Sequence, residues 1–81
     1  HILVLPLRGE VENLEFTIKQ IRYQSAWSLK TPFHVYLIDF GIGEETRQIV
    51  SILQQDIDGI TVCTQEEFPE AIRKNLRLQS P

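Results

Sequence analysis

Three apolar runs, evenly spaced and separated by helical patterns, constrain this chain more than any other feature. ILVLPL spans residues 2–7, FHVYLID spans 33–39 and ITVC spans 60–63. Each is short, continuous and rich in β-branched or aromatic residues, as suits a strand covered on both faces. Pro6 falls near the end of the first run, where a lost ladder hydrogen bond costs least. Between the runs the period changes to that of a helix. In residues 10–25, Val11, Leu14, Ile18 and Ile21 form one apolar stripe. Phe16 and Tyr23, seven apart, mark a second face. Glu10, Glu12 and Glu15 crowd the expected first turns, which suits the helix dipole. After the second run, Ile49, Val50, Leu53 and Ile57 form another stripe. After the third, Phe68, Ala71, Ile72 and Leu76 face one way, and Pro69 suits a first turn. The predicted order is β-α-β-α-β-α. Right-handed crossovers then give a short three-stranded parallel sheet flanked by helices, a three-layer, Rossmann-like α/β fold.

At 81 residues this is one domain over 1–81, with a small core and marginal stability. The formal charge of −3 and scattered basic residues argue against nucleic acid. Arg73, Lys74 and Arg77 read as charges complementing a helix C-terminus. Cys63 is alone and lies in an apolar run, so it reads as a buried, inert thiol in a reduced, cytoplasmic setting. No apolar run approaches a membrane span, and HILVLPL lacks the form of a signal peptide. The chain starts at His1 and contains no Met, so a removed initiator or a trimmed end is expected.

Ligands of open α/β sheets sit at the carboxyl ends of the strands. That rule directs attention to residues 6–9, 39–43 and 64–67. Asp39 reads either as a ligand contact or as a turn carboxylate bonded to nearby backbone N–H groups. Gly41 and Gly43 lack the third glycine of a dinucleotide fingerprint. Glu44 and Glu45 would repel phosphate from the helix they open. Arg8 could grip an anion, stand in solvent or pair with Asp39. His34 has no nearby nucleophile in sequence. Asp56-Ile57-Asp58 has the letters of a metal motif but reads as a solvated turn. Phe40 and Ile42 are apolar residues on an expected solvent-facing loop. Trp27, Leu29 and Phe33 also lie near connections.

LPLRGEVENLEFTIKQIRYQS, FHVYLIDFGIGEETRQIVSIL and FPEAIRKNLRL together resemble, in order and spacing, the first half of family 2 glycosyltransferases of the GT-A fold. The resemblance implies a truncated nucleotide-diphospho-sugar transferase domain with strand order 3-2-1. Pro6, Glu10, Asp39, Gly41 and Thr46 match that family's pattern, and Pro6, Arg8, Glu10, Asp39 and Gly41 are the candidates for nucleotide contact. Departures are as telling. Arg8 stands where a Tyr is expected, Gly9 for an Asn, Phe40 for the second Asp of a pair, and Ile42 for a Ser. A phenyl ring cannot accept a hydrogen bond from a base N–H. The Asp-x-Asp motif that holds manganese or magnesium is absent from these residues, as is the acceptor half. In the family the first strand pairs with a later one, which leaves residues 2–7 here as an open, apolar edge. The expectation is a non-catalytic domain without a cofactor, acting as a homo-oligomer or on a protein partner. Leu3, Leu5, Phe40 and Ile42 are its candidate contact residues. The alternatives are a weak nucleotide-sugar binding module, or a fragment of an active transferase.

Overall fold

The computed structural model describes residues 2–28 and 34–79, with side chains for 2–24 and 34–76. The elements run β1 (Ile2–Gly9), α1 (Leu14–Ser28), β2 (His34–Ile42), α2 (Glu44–Asp56), β3 (Ile60–Thr64) and α3 (Phe68–Gln79). The strands form one parallel sheet in the order β1-β2-β3. The predicted α/β fold with its 3-2-1 order is therefore present, read from the other side. Leu29, Phe33 and the side chains of Trp27 and Arg77 lie outside the described residues.

Alternation along the strands sorts side chains into two layers. Leu3, Leu5 and Leu7 of β1, Val35 and Leu37 of β2, and Ile60 and Val62 of β3 pack toward Leu14 and Ile18 of α1 and Val50 and Leu53 of α2. On the opposite face Tyr36, Ile38 and Cys63 pack toward Phe68, Ala71 and Ile72 of α3. Residues 35–38 of β2 are buried on both faces, which explains why this run carries no polar alternation. Alternation puts Val4 and Pro6 on the α3 side, where both are exposed.

Element boundaries differ in places from those read in the sequence. Helix α1 begins at Leu14, not at residue 10. Asn13 takes φ 58°, a left-handed conformation that Asn tolerates, and its carbonyl accepts the first helical bond from Thr17 N–H at 2.9 Å. Glu10 and Glu12 thus precede the helix whose dipole they were expected to serve. Strand β2 continues through Phe40 and Gly41 to Ile42. The ladder slips between Leu7 and Gly9, so that Gly9 pairs with Ile42. That slip turns Ile42 inward onto Val50 and Leu53, where it is 9% exposed. The surface role expected of Ile42 is corrected accordingly. Helix α3 starts at Phe68, after a turn over residues 65–67.

Candidate functional site

The carboxyl ends of the strands hold most of the residues singled out above, and the carboxylates of Glu10 and Asp39 already accept backbone hydrogen bonds there. Gly43 N–H donates to Gly9 O at 2.9 Å, tying the β1–α1 loop to the start of α2. Glu10 then lays its carboxylate across that helix N-terminus. Thr46 N–H donates to Oε1 at 2.9 Å and Glu45 N–H to Oε2 at 3.2 Å. The return bond runs from Val11 N–H to Thr46 Oγ1 at 2.8 Å. Thr46 is buried, so that bond is sheltered from water. The backbone bond from Thr46, helped by the one from Glu45, holds the Glu10 carboxyl below its ordinary pKa. Gly43 has an ordinary extended φ of −77°. Its role is steric: a Cβ there would land on the Glu10 carboxyl.

Asp39 closes the next turn. Its Oδ1 accepts Gly41 N–H at 2.7 Å and Ile42 N–H at 3.0 Å. These two bonds, with a smaller contribution from Arg47, lower its pKa. Arg47 Nη2 stands 3.7 Å from Asp39 Oδ2. The arginine beside Asp39 is therefore Arg47, one helical turn into α2, and Arg8 is exposed in β1. At β3, Thr64 N–H donates to Glu67 Oε1 at 2.9 Å and Glu67 N–H to Thr64 Oγ1 at 3.2 Å. This reciprocal pair is a capping box at the entry to α3.

Gly41 makes the Asp39 turn possible, with φ 100°. An added Cβ would meet nothing within 4 Å, so an alanine there pays only for its backbone. Gly41→Ala is expected to cost about 1–2 kcal/mol, a thermal midpoint roughly 4–15 °C lower. An unchanged midpoint would show that the turn does not keep this conformation in solution.

The arrangement is a poor phosphate cradle. The Glu45 and Thr46 N–H groups, which could meet an anion at the start of α2, already face Glu10. Glu10, Asp39, Glu44 and Glu45 outnumber Arg8 and Arg47 on this side. Pro6 contributes an exposed ring and Arg8 an exposed guanidinium. Among the described residues no group of three or more His, Cys, Asp or Glu could hold a metal ion. Asp56 and Asp58 flank the end of α2 and are exposed, while Ile57 N–H closes the helix on Leu53 O at 2.9 Å.

A cleft of about 570 Å³ lies between α3 and the β2–β3 part of the sheet, lined by His34, Tyr36, Thr61, Cys63, Ala71 and Lys74 among others. Its origin is packing: Thr61, Cys63 and Ala71 are small where the helix crosses the strands. His34 Nε2 and Thr61 Oγ1 share a hydrogen bond at 2.8 Å, and the imidazole stacks on Tyr36 with centroids 4.6 Å apart. Burial, then Arg22, lowers the His34 pKa, whereas burial raises that of Cys63. Both directions oppose a thiolate–imidazolium pair, and Cys63 behaves as a buried small hydrophobe. Nothing in the sequence pattern marked this cleft, because small residues on separate elements carry no motif.

Leu3 and Leu5 pack half-buried against the α1–α2 layer, which withdraws much of each side chain from the surface role expected of it. Phe40 is 37% exposed and Val4 39%. Among the described residues, no helix is long and apolar enough to cross a membrane. No protein-family model matches the chain, and no curated protein or solved structure does either.

Proposed function

We propose that this chain is a small α/β association domain. It shares the order of elements of a family 2 glycosyltransferase first half and serves to bind protein rather than to transfer sugar. One observation carries the reading. The carboxylates at the ligand-binding end of the sheet cap their own turns and helices, while β1 pairs on one side only among the described residues. A family-like nucleotide site would need Glu10 and Asp39 to leave bonds that close the fold. An open apolar strand edge, by contrast, is a ready template for another chain. Val4 on that edge and Phe40 on β2 add exposed apolar surface. Manganese or magnesium has no role in this reading.

Two measurements test it. Light scattering across a concentration series is expected to show a mass above that of one chain, or a defined protein partner to be retained in a pull-down. Titration with uridine diphosphate sugars, with and without manganese, is expected to give neither heat nor chemical-shift changes at millimolar ligand. Saturable shifts at Arg8, Asp39 and Gly41 would overturn the reading in favour of a nucleotide-sugar module.

A further inference from the structure

We propose that the cleft beneath α3 is a binding site for a small organic acid, with the acid group at its His34–Lys74 end and an apolar body toward Cys63. This site lies apart from the β1 edge, so it goes beyond the association reading and stands without it.

The ends of the cleft follow from alternation and helical spacing. The β2–β3 ladder sets Tyr36 opposite Thr61 and Ile38 opposite Cys63. His34 and Tyr36 therefore share the α3 side of the sheet with Thr61 and Cys63. Ala71, Lys74 and Asn75 are three and four residues apart, so they share one side of α3. Tyr36 Oη donates to Ala71 O at 3.4 Å, which sets how helix and strand lie against each other. Helix α3 leaves β3 through the short turn at 65–67 and runs back along the sheet. His34 lies two residues toward the start of β2, about 6.6 Å from Tyr36, and a helical turn beyond Ala71 is about 5.4 Å. The two displacements match, so His34 and its partner Thr61 lie across from Lys74 and Asn75. Cys63 and Glu67 line the other end.

Charge separates the two ends. Glu67 Oε1 accepts Thr64 N–H at 2.9 Å, and Glu70 holds Arg73 at 3.2 Å. Both lining carboxylates thus have partners of their own. Lys74 has none among the described residues. A second cation acts on the same end, since Arg22, after burial, lowers the His34 pKa. His34 is accordingly neutral near pH 7, and its hydrogen bond with Thr61 Oγ1 carries no charge. An anion at this end meets two positive charges and neutral polar groups, whereas a cation meets repulsion. The middle of the cleft is apolar, with Val62, Cys63 and Ala71 on the wall and the covered Tyr36 ring beneath. Its volume of about 570 Å³ suits a small molecule. Polar groups converging at one end of an apolar pocket, beside residues with shifted pKa values, are the usual marks of such a site.

Benzoate is the probe, with benzamide as its uncharged counterpart. Titration followed by amide chemical shifts is expected to give saturable changes at His34, Thr61, Val62, Ala71 and Lys74, with a dissociation constant in the millimolar range. Benzamide should give none. Lys74→Gln keeps an exposed polar side chain, so the fold is undisturbed, and it should weaken benzoate about tenfold. Glu70→Gln should not weaken it. Ala71→Leu extends a side chain into the cleft and should abolish saturation with an unchanged far-ultraviolet spectrum. If that variant fails to fold, Lys74→Gln and benzamide still decide. Equal shifts with benzamide, an unchanged affinity in Lys74→Gln, or no saturable shift at tens of millimolar benzoate each overturn the proposal. Changes confined to Arg8 and Arg47 would put the acid at the carboxyl ends of the strands and overturn it as well. The mass of the chain enters none of these outcomes, so failure here leaves the association reading to its own tests.

Discussion

Leu37→Ala is expected to lower the thermal midpoint by roughly 10–30 °C. Leu37 is 0% exposed and sits on the central strand, between Leu5 of β1 and Val62 of β3 in the ladder. Truncating a leucine so placed removes its transfer free energy and leaves a cavity, together about 2–5 kcal/mol. A domain of this length has roughly 4–12 kcal/mol to lose. The loss is thus a large fraction of the whole. The sheet cannot relax into the space from above, because the residues on either side of Leu37 along β2 are themselves buried and hydrogen-bonded in two ladders. Ile52 supplies the contrast. It is apolar and on α2, yet 53% exposed, and Ile52→Ala should change stability by about 0.5 kcal/mol or less. Thermal unfolding of the two variants side by side checks the assignment. A Leu37→Ala midpoint within about 5 °C of wild type would mean that β2 is not the centre of the core.

The buried position of Leu37 is also where the sequence was easiest to read. A strand with helices on both faces needs apolar residues at consecutive positions, and FHVYLID shows them without alternation. The same logic identified β1 and β3, and the intervening helical stripes then left only a parallel sheet with right-handed crossovers. What escaped is long-range. Glu10 looks like a first-turn residue of α1 because an acidic residue before an apolar stripe usually is one. Its bonds instead reach Glu45 and Thr46, 35 and 36 residues away. Ile42 looks like a loop residue because it lies between two glycines, and only the slip in the β1–β2 register turns it inward. Asp39 was legible in half. Its turn bonds to Gly41 and Ile42 are local and follow from residue type, whereas its neighbour is Arg47 of α2 and not Arg8, which the sequence left as one possible partner. The candidate ligand residues were therefore found at the right end of the sheet, and the geometry puts Glu10 and Asp39 to structural use.

Glu10→Ala and Gly43→Ala are expected to destabilise by nearly the same amount, each lowering the midpoint by several degrees, and the double variant by little more than either alone. The reason is that both remove one device. Glu10→Ala deletes the carboxylate that accepts Thr46 N–H and Glu45 N–H. Gly43→Ala keeps the carboxylate but puts a methyl where it sits, and the flexible Glu10 side chain swings away rather than the backbone shifting. Either way α2 loses its cap, and a cap can be lost only once. Additive losses would mean that Gly43 matters for some other contact. The device also sets an acid limit. Folding lowers the Glu10 pKa from its ordinary 4.5, so its contribution is fully present above the unfolded value and is lost as the pH falls through the folded one. Asp39 follows the same sign from its ordinary 3.8. Wild type should therefore lose thermal stability progressively as the pH falls below about 5 and these carboxylates protonate. Glu10→Gln retains an acceptor oxygen for Thr46 N–H but no titrating group. It should begin slightly less stable at neutral pH and fall more slowly with acid, so that the two profiles converge. Parallel profiles would show that Glu10 spends its time in solvent and that the start of α2 is free for an anion after all, which would return the nucleotide-sugar reading to contention.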